Sequence, residues 1–543
     1  MPRTSRSTSG ISRRPASGTS RRPSVDPGGW TGRSSPLAAA LLAAALLVAG
    51  CTSSSEPSDG KKPEGSSAQD DGKGVPDQST IDWTRCKAPT PDQGSGKAPG
   101  SKWQCGTLQA PLDHDKPDGE KIEIALIRKP ATEPDRRLGA LLYNFGGPGG
   151  SGVATLPQAA GDYEDLNERY DLVSFDPRAV GETATVRCVD DKELDRLSQE
   201  DDGPPSSAAE EAEDTAESRA QVAACEKKAG KLLPHVGTSD TARDMDLIRE
   251  ALGEKKLNYF GISYGTELGG VYAHLFPEKV GRTVFDAVVD PTEGQIEGSL
   301  AQAKGFQLAL ENYFKDVGKD PEEGSAQITA VLEQAEASPL PTNSPSRKLT
   351  RGLAETGIAA ALYSEETWPY LTQGLQEVEN AGSGSILLLL ADAYSGRDPQ
   401  TGRYSNMAQA NAAIRCADSN ERFDYADVKR ERPAFEKASP VFGASMVWGL
   451  MGCTDWPVDG ERKTPEVSAK GAGPILVIGN TGDPATPVEG AKKMAEALGE
   501  GVGVNITVDG EGHGTYGVND CATKTVDAYL LDGEVPADGK TCK

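Results

Sequence analysis

The stretch Lys256-Leu257-Asn258-Tyr259-Phe260-Gly261-Ile262-Ser263-Tyr264-Gly265-Thr266 decides the fold. Residues 256–260 read as a buried strand, and residues 266–275 are competent to form a helix. Between them, Gly261-Ile262-Ser263-Tyr264-Gly265 places a serine in a tight turn with a glycine two residues away on either side. Strand, turn and helix in this order form a nucleophile elbow, in which small residues permit a strained turn that holds a hydroxyl above the end of a sheet. With 62 glycines in the chain, the pentapeptide alone would mean little. The strand before it and the helix after it carry the reading, and they make Ser263 the candidate nucleophile.

A serine hydroxyl needs a base to take its proton. The chain has four histidines. His114 and His235 precede Ser263, against the chain order Ser, acid, His that accompanies such an elbow. His274 follows on the same predicted helix, roughly 16 Å along its axis. His513 remains, in Gly510-Glu511-Gly512-His513-Gly514, where the flanking glycines let the loop turn the imidazole back toward the serine. The acid that orients the imidazole is expected at Asp483, in Gly479-Asn480-Thr481-Gly482-Asp483-Pro484 after the strand predicted over 474–478. Asp290, near the end of an earlier strand, is the rival. For the oxyanion, the run Gly146-Gly147-Pro148-Gly149-Gly150-Ser151-Gly152 follows the strand 138–145 and offers close backbone approach. The hole is assigned to the N–H groups of Gly147 and Tyr264. A phosphate-cradling loop is the competing reading of these glycines, but the Lys-Ser/Thr ending it needs is missing.

Outward from the elbow, residues 121–129 alternate as a strand near a sheet edge. Residues 138–145, 171–175, 256–260, 283–289, 474–478 and 504–508 read as buried strands. Residues 239–252 form a helix with a Ser or Thr cap that stops at Gly253. Strands alternating with helices predict an α/β fold with a mostly parallel central sheet. Residues 190–228 are acidic and read as a solvated excursion, and residues 292–441 are helix-rich with few strand signals. The division expected is residues 81–291 as the first part of the core, 292–441 as a helical cap, and 442–543 as the second part carrying acid and histidine.

The net charge is −25, and seven Arg against one Asp give the first 50 residues +6, so the remainder carries −31. A body this acidic repels phosphates and anionic headgroups, which excludes nucleic acid and a bare membrane surface as partners. The basic start followed by the apolar run 37–49 reads as a signal peptide over residues 1–50. It ends in Leu47-Val48-Ala49-Gly50-Cys51, which resembles a bacterial lipoprotein signal with Cys51 as the lipidated residue. Residues 51–80 are a Ser/Gly-rich flexible linker, so membrane attachment is expected only through that lipid. The other eight cysteines argue for disulfides on an exported chain, with neighbours in sequence order the simplest pairing. Cys188–Cys225 would close a loop of about 38 residues, worth roughly 4 kcal/mol on the chain-entropy account. No Cys-x-x-Cys or His-x-x-x-His spacing occurs, and neither a metal nor a cofactor is expected. The sequence specifies no oligomeric state.

From about residue 83 to 542 the chain resembles the proline iminopeptidase and tripeptidyl aminopeptidase family of serine peptidases. The resemblance rests on the glycine run 146–152, Asp176-Pro177-Arg178, Thr241-Ala242-Arg243-Asp244, the elbow, and residues 285–291. It continues through Cys416-Ala417-Asp418, Cys453-Thr454-Asp455-Trp456-Pro457 and Asp483-Pro484-Ala485-Thr486-Pro487. Phe145 stands where iminopeptidases carry His, which brings the chain closer to the secreted tripeptidyl branch of actinomycete bacteria. Ala179 stands where the family usually has Gly. The resemblance implies an α/β-hydrolase fold with a helical cap insertion, and an exported serine exopeptidase that removes short peptides or single residues from free N-termini. It implies cap carboxylates that hold the substrate ammonium, for which Asp418, or Glu365 and Glu366, stand in suitable places. A secreted carboxylesterase of the same fold is the alternative. Retention of Ser, Asp, His and the glycine loop together argues against a non-catalytic lipid-anchored binding protein.

Overall fold

Two six-residue runs, Gly139–Asn144 and Tyr170–Phe175, bury every residue, as strands covered on both faces must. They lie at the centre of a ten-stranded sheet in the computed structural model, which describes residues 81–200, 203–205 and 207–543. In chain order the strands are β1 (Thr84–Arg85), β2 (Gln104–Pro111), β3 (Lys121–Lys129), β4 (Gly139–Asn144) and β5 (Tyr170–Phe175). They continue with β6 (Leu257–Ile262), β7 (Val280–Asp286), β8 (Ile475–Gly482), β9 (Gly503–Glu511) and β10 (Lys540–Cys542). Across the sheet the order is β1-β2-β3-β5-β4-β6-β7-β8-β9-β10. The first three strands pair antiparallel, as does β3 with β5, and every neighbouring pair from β5 to β10 is parallel. The mostly parallel sheet expected from the sequence is present.

Two differences have physical causes. The strand expected near the edge, β3, lies third from it, because β2 pairs along its whole length and β1 adds beyond. In β2, Gly106 and the polar Gln104, Thr107 and Gln109 dilute the apolar signal, leaving Leu108, Ala110 and Pro111 as its buried residues. The second difference concerns β7, expected over 283–289, which ends at Asp286. Ala287, at φ +55°, turns the chain out of the sheet there.

Helices cover both faces. On one side Ala242, Met245 and Ile248 of the helix Thr238–Ala251 pack with Leu268 and Val271 of the helix Tyr264–Leu275 in a core shared with β3 to β8. On the other, Leu156, Tyr163 and Leu166 join Tyr516, Val526 and Leu530 against β4 to β9. Between β7 and β8 run eight α-helices, from Gln295–Asp316 to Gly443–Trp448. Most of them share a separate core around Leu310, Phe314, Ile358, Leu371 and Leu387. The helix Met407–Asp418 departs from this group, since Ala410, Ala413, Ile414 and Ala417 pack into the sheet core.

The excursion is two helices, Asp191–Gln199 and Ala208–Ala229. The second has 22 residues, of which Cys225 and Ala229 are buried. All four disulfides join neighbours in sequence order: Cys86–Cys105, Cys188–Cys225, Cys416–Cys453 and Cys521–Cys542. Such bonds persist in oxidising compartments. The signal peptide, the linker and Cys51 lie outside the described residues.

Candidate active site

In a parallel sheet the carboxyl ends of neighbouring strands open onto one edge. β6, β7, β8 and β9 are such neighbours. Ser263 follows β6, Asp286 ends β7, Asp483 follows β8 and His513 follows β9. Ser263 sits at φ +58°, ψ −128°, a strained backbone for a residue with a side chain. Its surroundings hold it there. Ser263 N–H donates to the Asp286 carbonyl at 3.1 Å, and its own carbonyl accepts from Thr266 N (2.8 Å) and Thr266 Oγ1 (2.7 Å).

The glycine loop lies directly against this turn. A Cβ on Gly146 would come 2.6 Å from the Ile262 carbonyl and 2.8 Å from Ser263 Cβ, at a backbone φ of +86°. Only glycine fits. The same position is 3.1 Å from Tyr264 N, the first amide of a helix and so one without an intrahelical acceptor. Gly147, the other residue assigned to the oxyanion, is next in the chain. The loop is braced at both ends: Asn144 Oδ1 accepts from Gly146 N (3.0 Å), and Asn411 Nδ2 donates to the Pro148 carbonyl (3.0 Å). Behind it, buried Asp176 accepts from Ser151 Oγ (2.6 Å) and Val153 N (3.2 Å). Arg178, 1% exposed, donates to Asp244 and to the carbonyls of Leu112, Pro111 and His235. Asp176-Pro177-Arg178 is therefore a structural hub. Ala179, the next residue, takes φ +74°, the left-handed conformation that accounts for the usual glycine.

His513 Nδ1 lies 2.9 Å from Asp483 Oδ1 and 3.0 Å from Oδ2. A carboxylate only accepts, so Nδ1 carries the proton and Nε2 keeps its lone pair. Asp483, 1% exposed, is locked in turn by Ala485 N and Thr486 N on Oδ1 and Thr486 Oγ1 on Oδ2, each at 2.9 Å. Burial opposes a charged imidazole at His513. The charge and hydrogen bond of Asp483, with Asp286 behind, outweigh it and raise the ring above its ordinary pKa. Two of the other histidines serve elsewhere: His114 meets Asp244 and Arg178, and His274 meets the Ser468 carbonyl and Glu466. Asp290, the rival acid, accepts from Thr292 N and Oγ1, while His513 Nδ1 is taken by Asp483.

The helical insertion reaches this histidine. His513 N–H donates to the Tyr363 carbonyl at 2.8 Å, and the Tyr363 ring stands edge-on to the imidazole at 5.2 Å. Asn312 Nδ2 holds Glu511 at 2.8 Å. Glu365 and Glu366 follow Tyr363 by two and three residues in an exposed turn. Burial raises Glu511, with the Glu365 charge adding to it. Asp162 is pushed up to about 6, by burial first and then by Glu366. Its Oδ2 is enclosed without a hydrogen-bond partner.

Asp418 is not part of this acidic rim. Its Oδ1 accepts from Thr238 N (2.6 Å) and its Oδ2 from Thr238 Oγ1 (2.7 Å), and the same hydroxyl meets Tyr264 Oη at 2.5 Å. Each oxygen takes one bond that closes the amino end of the helix Thr238–Ala251, and that is where the structure places the residue expected to meet the substrate ammonium. The Ser or Thr cap expected for that helix is corrected, since Gly237 occupies the cap position and Asp418 supplies the acceptor. Burial, then the Glu267 charge, push Asp418 up to about 8. Sequence reasoning missed Asp286, Asp162, Thr486 and Tyr363. Only Thr486, three residues after Asp483, carried a local signal, the Asx-type turn.

A parallel sheet bearing a strained serine after β6 and an Asp–His pair after β8 and β9 defines an α/β-hydrolase. The signature described as "TAP-like protein" matches residues 439–542. Serine protease Hip1 of Mycobacterium tuberculosis is 37% identical over 488 residues, covering 85% of this chain and 91% of its own. Tripeptidyl aminopeptidase of Streptomyces lividans is 32% identical over 480 residues, covering 85% and 86%. Carboxylesterase B of M. tuberculosis is 34% identical over 528 residues, covering 94% and 99%. The chain belongs to the tripeptidyl aminopeptidase-like family of α/β-hydrolase serine peptidases.

Proposed function

We propose that the protein is an exported serine exopeptidase that releases short peptides, tripeptides foremost, from free N-termini. The observation that carries this reading is the Asp483–His513 pair, moored through Asp286 to the strained Ser263 turn. Nε2 of His513 takes the Ser263 proton as Oγ attacks the scissile carbonyl, and the N–H groups of Gly147 and Tyr264 receive the oxyanion. His513 then protonates the leaving amine, and the acyl group stays on Oγ. Water, activated by the same imidazole, releases the peptide and restores the serine.

Glu365 and Glu366, joined by Asp162, meet the substrate ammonium at the rim, where a positive charge relieves their mutual repulsion. The four disulfides support export, and attachment through a lipid on Cys51 belongs to the same proposal. The second reading, a carboxylesterase, is favoured by the relative of that name and uses the same machinery. A free-amine tripeptidyl chromogenic substrate, its N-acetylated form and a short-chain ester separate the two. The free amine is expected to turn over fastest. Equal cleavage of the acetylated peptide overturns the exopeptidase reading, and a dominant ester rate selects the alternative.

A further inference from the structure

Asp286 is 2% exposed and ends β7, between the strands that carry the serine and the acid. Its carbonyl accepts from Ser263 N at 3.1 Å. Its carboxylate faces the other way, toward the histidine loop. Oδ2 accepts from Thr515 N and Tyr516 N, and Oδ1 from Thr515 Oγ1, each at 2.9 Å. One residue thus grips the nucleophile with its main chain and the base's loop with its side chain. The loop needs that grip, because Gly512 (φ +88°) and Gly514 (φ +97°) flank His513 and leave it little conformational restraint of its own.

Anchoring alone would not need a charge. A main-chain carbonyl could accept from Thr515 and Tyr516, and burying a carboxylate is costly unless it is well bonded. The two main-chain N–H groups can only donate and so favour the ionised form, while burial raises the group above the usual carboxylate value. The groups facing it are the Asp483 carboxylate from the β8 side, His513, and the Tyr163 phenol. Of these, the imidazolium formed during turnover is the one a negative charge would favour.

We propose that Asp286 is a positioning residue for the reaction. It registers His513 against Ser263, and it supplies a second negative charge, behind that of Asp483, that holds the imidazolium. The proposal rests on the serine-hydrolase reading above.

The test is the pH dependence of kcat/KM on the free-amine tripeptidyl substrate, together with the rate of Ser263 labelling by a fluorophosphonate. Wild type, Asp286→Asn, Asp290→Asn and Ser263→Ala are compared. Asp286→Asn is expected to lower kcat by about tenfold or more with KM little changed. It should also move the acidic limb to lower pH by about half a unit or more, because the histidine loses a favourable charge. Asp290→Asn, which alters a half-buried carboxylate on the following loop, should match wild type in both. A limb that stays in place in Asp286→Asn overturns the electrostatic role, even if thermal stability falls. Unchanged kcat overturns the positioning role.

If Asp286→Asn does not fold, Thr515→Val decides, since it keeps both main-chain bonds and removes only the hydroxyl. A fall in kcat and labelling rate at constant KM, restored by Thr515→Ser, supports the proposal, and wild-type kcat overturns it. Ser263→Ala keeps the two levels apart. Turnover retained there would remove the serine reading itself, whereas a dead Ser263→Ala beside a normal Asp286→Asn removes only this inference.

Discussion

Replacing Asp483 by Asn should cripple the enzyme through the tautomer of His513, and the surrounding donors say why. Ala485 N and Thr486 N both point at Oδ1, so the amide oxygen of an asparagine must take that place. Its NH2 group then occupies the Oδ2 position, facing Thr486 Oγ1 and His513 Nδ1. An NH2 facing Nδ1 requires Nδ1 to accept, which moves the imidazole proton to Nε2. A protonated Nε2 cannot take the Ser263 proton. Loss of the correct tautomer in a Ser-His-Asp site lowers kcat by about 10⁴-fold, or about 5 kcal/mol of transition-state stabilisation. Steady-state kinetics on the free-amine tripeptidyl substrate would measure it, with circular dichroism to verify folding. The acidic limb of any residual activity should lie at lower pH than in wild type, since Asp483 is the main group that raises His513. A variant within tenfold of wild type would refute the reasoning. So would an Asp290→Asn variant that is crippled while Asp483→Asn is not.

Three further outcomes follow from the same site. Ser263→Ala should abolish turnover and fluorophosphonate labelling while leaving the thermal midpoint near wild type, and retained turnover would remove the nucleophile assignment. Gly146→Ala places a Cβ 2.6 Å from the Ile262 carbonyl and 2.8 Å from Ser263 Cβ, so the loop or the elbow must shift. A loss of kcat of about 10² is expected, and an unchanged kcat would show that the two do not press together in solution. Asp162, pushed up to about 6, is charged above that pH and neutral below it, so KM for free-amine substrates should fall as pH rises through this point. In Asp162→Asn that step should vanish and KM rise by about fivefold, with the acetylated substrate unaffected; a persisting step would exclude Asp162 from ammonium binding.

The parts of the site that lie in one short stretch were legible from sequence. The elbow announces itself because strand, turn and helix are contiguous, and His513 emerges from four histidines by position alone. Pairing of the cysteines in order succeeded because each bond closes a short local loop. What depends on tertiary approach left no trace. Asp162 matters through Glu366, some 200 residues away, and no periodicity connects them. Asp286 was hidden by a boundary. Reading the strand through Val289 drew attention to Asp290 as the residue at its mouth. The sheet ends three residues earlier, Ala287 turns the chain at φ +55°, and Asp290 accepts from Thr292. Asp418 also acts at long range: nothing in its motif tells that its carboxylate accepts from Thr238 at the amino end of a helix.

The bond from His513 N–H to the Tyr363 carbonyl has a practical side. Grafting a foreign lid onto a hydrolase body is an obvious route to altered specificity, and it assumes that body and lid are separable modules. In this protein the residue that grips the main chain of His513 belongs to the helical insertion between β7 and β8. An exchange would therefore strip a strut from the base while widening the choice of substrate, and a successful chimera must carry the 363–364 segment over from the original.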